Sequence, residues 1–239
     1  MLEMPAGVPD FDTPAGMPRW ANAMVLHIRP PRMRTLARQL RVPVVNLVEG
    51  TAPVGFPTVC IDNRAVGRLA FEHLRSLGLR HFGYLEWDAF DDPLRREGFE
   101  AAAAAAGMAD RLIAVPSLLS RRDWSDDVAR QAQAFRDLPR PLGLFCFADW
   151  LAALALQAIH IAGLRVPDDI AVIGCDDDEI TCETPQPTLS SVDPHKDRVG
   201  YQAARLAVDM AEGAALPDVL HQCVEPLGVI ERISTQMLA

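Results

Sequence analysis

Four acidic residues directly follow an apolar segment, Ile170–Gly174, that is typical of a buried β-strand. They are Asp176, Asp177, Asp178 and Glu179. In an open α/β sheet, ligands bind outside the carboxyl ends of the strands, so a ligand site is expected here. Carboxylates accept hydrogen bonds from hydroxyl groups. They can also hold a cation, although this run lacks the alternating spacing and the glycine of an EF-hand loop.

Two other residues have suitable chemistry, an acid and an arginine. Asp149 follows the predicted strand Leu142–Phe147 and could pair with Asp176 as the acid and base of a glycosidase. The alternative roles are structural, with Asp149 as a helix N-cap and Asp176 as a turn residue. Arg95, in the segment DDPLRREGF, is either an exposed cation or a buried guanidinium that can bind sugar hydroxyls. The residues alone leave these alternatives open.

Other candidate residues carry weaker signals. Trp87 follows the predicted strand His81–Glu86 and could stack on a sugar ring or belong to the core. The sequence contains no GxGxxG, GxxxxGKS/T, HExxH or GxSxG signature. The six histidines show no paired metal spacing and the five cysteines form no CxxC, so we interpret the cysteines as reduced thiols. We therefore predict a protein that is not an enzyme and that has no metal site and no cofactor.

The composition of the whole chain restricts its partners. With 23 basic and 32 acidic residues in 239, the net charge is −9, so the chain itself should repel the phosphate backbone of nucleic acids. No apolar run is long enough for a membrane span, and the N-terminus lacks the basic and apolar regions of an export signal. We expect a cytoplasmic protein with no membrane partner.

Short apolar segments alternate with amphipathic ones, which is typical of a parallel sheet with crossover helices. One helix is predicted from its N-cap Asp62 to Gly78, one from Asp149 to Gly163, and one from a cap at Asp193-Pro194. Residues 1–22, with their prolines, are expected to be irregular. The predicted strands are Ala23–Ile28, Val42–Leu47, Thr58–Ile61, His81–Glu86, Leu112–Val115, Leu142–Phe147 and Ile170–Gly174.

Several segments together resemble the effector-binding domain of the lac/galactose repressor family. They stand in family order over roughly residues 23–239, and their joint occurrence is more specific than any one alone. The segment PLGVIERISTQMLA (226–239) is most similar to the xylose operon regulators, in which an arabinose-regulator-type helix-turn-helix domain follows it. The other matching segments are VPVVNL (42–47), CIDNRAVGRLAFEHLRSLGLRHFGYL (60–85), RREGF (95–99), GLRVPDDIAVIGCDDDEITCE (163–183), PTLSSVDP (187–194) and GYQAARLAVDMAEG (200–213).

This resemblance implies a periplasmic-binding-protein-like α/β fold, with two Rossmann-like subdomains around a cleft. The N-terminal subdomain would comprise residues 1–61 and 193–219, and the C-terminal subdomain residues 62–192 and 220–239. The ligand contacts carried over from the family are Arg95, Asp149 and Asp176, to which we add Trp87. The segments that cross between subdomains predict hinge residues at Cys60, Asp62, Ser191 and Asp193.

The implied function is that of the effector-binding domain of a bacterial transcriptional regulator, which senses a sugar, with a xylose-like pentose as the expected one. We expect a homodimer that contacts DNA only through a domain outside this chain. We expect two departures from the family, the absence of the first βα unit of the N-terminal subdomain and Ala148 in place of a polar residue beside the acid. The alternative is a sugar-binding protein of the transport class, against which the missing export signal argues.

Overall fold

The structure is a computed structural model that describes residues 21–29, 31–49, 55–86, 93–118, 124–214 and 220–236. The chain forms two compact units, Met1–Ile61 with Asp197–Val224 and Asp62–Lys196 with Glu225–Ala239. We name them by their sheets, as the four-stranded unit and the six-stranded unit. In the described part of the chain, no helix is long and apolar enough to cross a membrane.

Strands and helices alternate along most of the chain. In order, they are β1 (Met24–Leu26), α1 (Pro31–Gln39), β2 (Val44–Asn46), β3 (Thr58–Ile61), α2 (Asn63–Ser76), β4 (His81–Leu85), α3 (Leu94–Ala105), β5 (Leu112–Ala114), α4 (Trp124–Arg136), β6 (Leu142–Cys146), α5 (Asp149–Ile161), β7 (Ile170–Cys175), α6 (Glu179–Glu183), β8 (Ser190–Asp193), α7 (Lys196–Ala211), β9 (His221–Val224) and β10 (Gly228–Ile230).

The four-stranded unit is built on a parallel sheet with the strand order β1-β2-β3-β9. Successive residues of a strand face opposite sides of the sheet. Accordingly, Val45 of β2 packs in a cluster with Ala203 and Leu206 of α7, whereas Val44 packs with Ala37 of α1. One helix therefore contributes to the core on each face of this small sheet.

The six-stranded unit has the strand order β10-β8-β7-β6-β4-β5, in which only β10 runs antiparallel to its neighbour. Every residue of β6 and of β7 is buried. Such near-continuous apolar strands are what a parallel sheet needs when helices cover both of its faces. The carboxyl ends of β4, β6 and β7 therefore lie together at one edge of a rigid sheet.

Helices α2 and α3 pack backbone to backbone in the six-stranded unit. A Cβ atom at Gly67 would lie 2.0 Å from the carbonyl oxygen of Arg95, and one at Gly98 would lie 2.1 Å from that of Arg64. Only glycine permits this approach, since any side chain would push the helices apart. The contact brings Arg95 next to the first turn of α2.

The structure confirms the predicted α/β fold with parallel sheets, and all of the predicted strands are present. The N-cap predicted at Asp62 is also confirmed, because its carboxylate accepts a 2.9 Å hydrogen bond from the amide of Ala65. The N-cap alternative for Asp149 is wrong, because Ala148 is the N-cap of α5 and Asp149 is its first residue.

The helix start predicted at Asp193-Pro194 is also wrong. Asp193 ends β8, and helix α7 begins at Lys196. His195 has a φ of 61°, a left-handed conformation that cannot begin a helix. The carboxylate of Asp193 instead accepts a 2.8 Å hydrogen bond from the amide of His195, which makes a local turn.

The boundaries of the two units differ from those expected from the sequence, which assigned residues 193–219 to one unit and residues 220–239 to the other. Strand β9 pairs with β3, so His221–Val224 belongs to the four-stranded unit. Residues up to Lys196 belong to the six-stranded unit, because β8 pairs with β7 and β10. The irregular segment predicted at the N-terminus lies outside the described residues, apart from Ala21 and Asn22.

Candidate functional site

Three of the side chains at the carboxyl edge of the six-stranded sheet come from different segments of the chain. Arg95 is the second residue of α3, Asp176 directly follows β7, and Asn63 is the first residue of α2. Phe147 follows the last residue of β6. The edge of a parallel sheet where strands lead into helices is where α/β proteins bind ligands. The structure therefore brings Arg95 and Asp176 together, as the sequence predicts.

Arg95 is a buried, tightly held guanidinium. Arg95 is 6% exposed, and its Nε donates a 2.8 Å hydrogen bond to Oδ1 of Asn63. One terminal nitrogen donates to the carbonyl oxygen of Phe147, whose ring centroid lies 4.8 Å from the guanidinium carbon. The other terminal nitrogen lies 3.7 Å from Oδ1 of Asp176. That separation makes an ion pair but is too long for a direct hydrogen bond.

Asp176 sits on a strained backbone. Its φ is 123°, a conformation that residues with a side chain rarely adopt, and the next residue, Asp177, also has a positive φ of 44°. Strain of this kind costs on the order of 1–3 kcal/mol, persists only where neighbours enforce it, and is concentrated at functional sites. The side chain of Asp176 is 30% exposed, so its carboxylate can meet a ligand.

Three successive amides hold this strained loop in place. The amide of Asp176 donates to the carbonyl of Val192 at 3.1 Å, and that of Asp177 donates to the Ser191 hydroxyl at 3.0 Å. The amide of Asp178 donates to Oδ2 of Asp149 at 2.9 Å. The partners come from β8 and α5, so two neighbouring elements fix the conformation of the loop.

Asp149 is the buried anchor of this network. Asp149 is 1% exposed. Its Oδ1 accepts a 2.7 Å hydrogen bond from the Ser191 hydroxyl, and its Oδ2 also accepts one from the Cys182 thiol at 3.3 Å. Gly174 makes room for it, since a Cβ there would lie 2.2 Å from Oδ1 of Asp149. Asp149 therefore holds the loop that carries Asp176, and its predicted contact with a ligand stays a prediction.

Burial dominates the electrostatics of this anchor. It raises the pKa of the Asp149 carboxyl, against the hydrogen bonds from Ser191 and the Asp178 amide, which favour the ionised form. The charge of Asp176 adds to the rise. An acid–base pair of Asp149 and Asp176 would require Asp149 to reach a substrate, and its buried side chain gives that alternative no support.

Two other carboxylates of the acidic run, those of Asp177 and Asp178, bind groups of the protein itself. Asp177 pairs with Arg232, whose Nη2 lies 3.0 Å from Oδ1 of Asp177. Asp178 is the N-cap of α6 and accepts a 2.8 Å hydrogen bond from the amide of Thr181, which lowers the pKa of Asp178. Within the residues that the structure describes, the run does not converge as a set of metal ligands. This leaves Asp176 as the acid of the run that faces Arg95.

The structure also locates the predicted hinge residues. Cys60 is buried in β3, and Asp62 caps α2. Ser191 of β8 donates a hydrogen bond to Asp149, and Asp193 accepts one from the amide of His195. These contacts support local structure, and the hinge role of the four residues stays a prediction. Trp87, the fourth predicted ligand contact, lies outside the described residues.

Sequence reasoning missed Asn63 and Phe147, which hold the guanidinium of Arg95. Each of them lies beside or within an element that the sequence predicts. Asn63 follows the N-cap Asp62, and Phe147 is the last residue of a predicted strand. Residues at helix starts and strand ends of the same sheet edge were therefore reasonable candidates, although their contact with Arg95 depends on the packing of α2 against α3.

Comparison with known proteins agrees with this geometry. Residues 71–235 match the family described as periplasmic binding protein-like domain. The chain belongs to this family. The predicted resemblance to the effector domains of lac/galactose-type repressors is thereby confirmed, since curated relatives of this periplasmic-binding-protein-like domain are transcriptional regulators.

Two curated relatives and one solved structure illustrate the similarity. The transcriptional regulator CelR of Thermobifida fusca is 32% identical over 71% of this chain and 51% of its own length. The arabinose metabolism transcriptional repressor of Geobacillus stearothermophilus is 30% identical over 72% of this chain and 48% of its own. The structure of the xylose-binding transcription activator xylR matches 92% of this chain and 60% of that chain, with a TM-score of 0.79 and 25% identity.

The domain spans about half the length of these two curated relatives. What the similarity shows for this chain is thus the fold and family of the effector-binding half of such regulators.

Proposed function

We propose that this domain senses a small sugar, with a xylose-like pentose as the first candidate, and controls a bacterial transcriptional regulator. One observation carries the proposal: a partly exposed carboxylate, Asp176, is held in a strained backbone 3.7 Å from the buried guanidinium of Arg95. The two groups offer an acceptor and a donor that are close together and are rigidly oriented by protein contacts on both sides.

A polyol suits this pair of groups chemically. A hydroxyl beside both can donate to the carboxylate of Asp176 while it accepts from Arg95. Such a site discriminates between sugars, because an analogue that lacks the hydroxyl leaves a charged group desolvated and unpaired. The identity of the sugar as a pentose is supported by two similar proteins, one named for arabinose metabolism and one described as xylose-binding.

Regulation requires that the sugar bind two states of the domain with different affinities. The net charge of −9 disfavours direct contact with DNA, so we propose that DNA is bound by another part of the regulator. A homodimer is the proposed form. In its support, Tyr201 and Val208 are exposed on α7, 68% and 48% respectively, and their spacing of seven places them on one face of the helix.

Titration calorimetry of the chain with D-xylose, L-arabinose, D-ribose, D-glucose and cellobiose tests the proposal. Saturable binding of one sugar is expected, and Asp176→Asn should weaken it roughly 10- to 100-fold, the cost of losing a hydrogen bond to a charged group. The matched control is Asp168→Asn, which removes an exposed carboxylate paired with Arg165 in the same unit. Equal affinities of the wild type and Asp176→Asn would refute the proposed site.

Nothing described in the structure favours the alternative of a transport-class sugar-binding protein. The two functions differ in one measurable property. A regulator that contains this domain should bind its operator with an affinity that the sugar changes, whereas a transport-class protein has no operator.

A further inference from the structure

Strand pairing brings two cysteines and a histidine together in the four-stranded unit. Cys60 of β3 and Cys223 of β9 are register partners, and their Sγ atoms lie 3.6 Å apart. His221 lies two residues before Cys223, so both side chains are on the same face of β9. Its Nε2 is 3.4 Å from Sγ of Cys60 and 3.8 Å from Sγ of Cys223.

These distances match the edges of a metal coordination tetrahedron. With Zn–S bonds of about 2.3 Å and Zn–N bonds of about 2.0–2.1 Å, tetrahedral angles separate two sulfurs by about 3.8 Å and a sulfur from a nitrogen by about 3.6 Å. The three observed separations differ from these values by a few tenths of an ångström. A bond of about 2.05 Å would be needed for a disulfide, so the two sulfurs are not linked.

The surroundings of the cluster suit a cation that enters from solvent. Cys60 is buried, whereas His221 and Cys223 are exposed. A carboxylate oxygen of Glu49 lies 3.8 Å from Sγ of Cys223, close enough to supply negative charge or to complete the coordination after a small rotation. Thiolate and imidazole ligands select zinc and similar soft or borderline ions over magnesium and calcium.

We propose that Cys60, His221 and Cys223 bind a zinc ion at the edge of the four-stranded sheet. Each thiol gives up its proton to solvent when it binds the metal. The ion would link β9, the last strand of the sheet, to β3, and would stabilise the folded unit because it binds the unfolded chain less well. This site is in a different unit from Arg95 and Asp176 and does not depend on the proposed sugar function.

The test uses the whole chain, freed of metal by a chelator and kept reduced. Zn²⁺ is titrated in competition with a chromophoric chelator, and Co²⁺ is added as a spectroscopic probe. We expect one zinc per chain. We also expect a sulfur-to-cobalt charge-transfer band in the near ultraviolet, together with the intense visible bands of tetrahedral cobalt, and a higher melting temperature with Zn²⁺ than without it.

Substitutions assign the ligands. Cys223→Ala and His221→Gln change exposed residues and should fold. Each should lower zinc affinity by more than about 10- to 100-fold, the cost of losing only an outer hydrogen-bond partner of a metal ligand. The matched controls are His160→Gln, an exposed histidine on α5, and Cys146→Ala, a buried strand cysteine in the six-stranded unit. Both controls should bind zinc as the wild type does.

Three results would overturn the proposal. One is the absence of zinc binding by the reduced wild-type chain, and another is zinc binding that survives both Cys223→Ala and His221→Gln. The third is a Co²⁺ complex without the charge-transfer band, because it would show that no thiolate binds the metal.

Discussion

The two units hold their polar side chains against their sheets in different ways. In the six-stranded unit, Arg95 and Asp149 are buried charges whose partners come from several helices and strands. In the four-stranded unit, Cys60, His221 and Cys223 lie on one pair of strands, and two of the three are exposed. The first set is held by partners within the protein, and the second gains its proposed partner from solvent.

The difference indicates how each region depends on its surroundings. A buried charge is stable only while all its hydrogen-bond partners are in place, so substitutions near Arg95 or Asp149 should affect the fold as well as binding. The Cys223 thiol and the His221 imidazole need no such network, since exposed residues of a sheet edge remain hydrated. Substitutions there should affect metal binding and leave the metal-free fold nearly unchanged.

The largest expected effect is that of removing the buried guanidinium. Arg95→Ala leaves Oδ1 of Asn63 and the carbonyl of Phe147 without this donor, and it removes the charge that faces Asp176. We expect the free energy of unfolding to fall by about 3 kcal/mol in urea denaturation. The matched control is Arg96→Ala, the next residue, which is 40% exposed and pairs with Glu86 on the surface.

The control should lose less than about 1 kcal/mol, as surface ion pairs do. Equal losses for the two arginine variants would show that the burial of Arg95 does not matter for stability.

A glycine pair provides the next test, with one member in each unit. Gly174→Ala places a methyl group 2.2 Å from Oδ1 of Asp149 and should lower the free energy of unfolding by about 2 kcal/mol. Gly200→Ala, in helix α7, meets no atom within 4 Å and should raise it by about 0.5–1 kcal/mol. Chemical denaturation monitored by circular dichroism measures both, and a harmless Gly174→Ala would contradict the tight packing around Asp149.

A helix cap gives a smaller change. Asp62→Ala removes the side chain that accepts from the amide of Ala65, and the free energy of unfolding should fall by about 1 kcal/mol. Asp62→Asn keeps an acceptor at this position and should cost much less. If Asp62 only caps α2, Asp62→Ala should lower stability without changing the affinity for the sugar. If Asp62 also acts as a hinge, the affinity should change as well, and calorimetry on the variant separates the two roles.

Burial of Asp149 should also change how the free energy of unfolding depends on pH. Burial raises the pKa of Asp149 in the folded protein, so the folded state keeps a proton that the unfolded state releases. The free energy of unfolding should therefore decrease as pH rises from the ordinary carboxyl pKa to the raised one, and this contribution should be constant above it. Asp149→Asn has no such proton, so the difference between the two pH profiles isolates the effect.

Two profiles that run parallel would show that Asp149 titrates normally. That result would mean that the hydrogen bonds from Ser191 and the Asp178 amide offset the effect of burial on the pKa of Asp149.

Strand and helix patterns explain why the site of the six-stranded unit was largely predictable. Asp176 follows an apolar segment typical of a buried strand, so the sequence predicts it at the edge of the sheet. Arg95 is predicted as a ligand contact only by the family resemblance. The burial of Asp149 was not predictable, since it depends on the close approach of α5 to Gly174. The start of α7 was also mispredicted, because the left-handed conformation of His195 depends on its surroundings and not on its type.

The cysteine and histidine cluster shows the opposite case. His221 and Cys223 lie 161 and 163 residues beyond Cys60, so no local spacing connects them. The prediction of no metal site was based on spacing along the chain, whereas the cluster is made by the register of β3 with β9. Pairing between strands that are distant in sequence is decided by the fold as a whole.

Contact between the sugar and the strained loop after β7 is tested most directly by the amide chemical shifts of an isotope-labelled chain, recorded with and without saturating D-xylose. We expect the amides of Asp176, Asp177 and Asp178 to shift strongly and those of His221–Val224 in the other unit to stay unchanged. Saturable sugar binding that leaves the three loop amides unchanged would show that the loop does not contact the sugar.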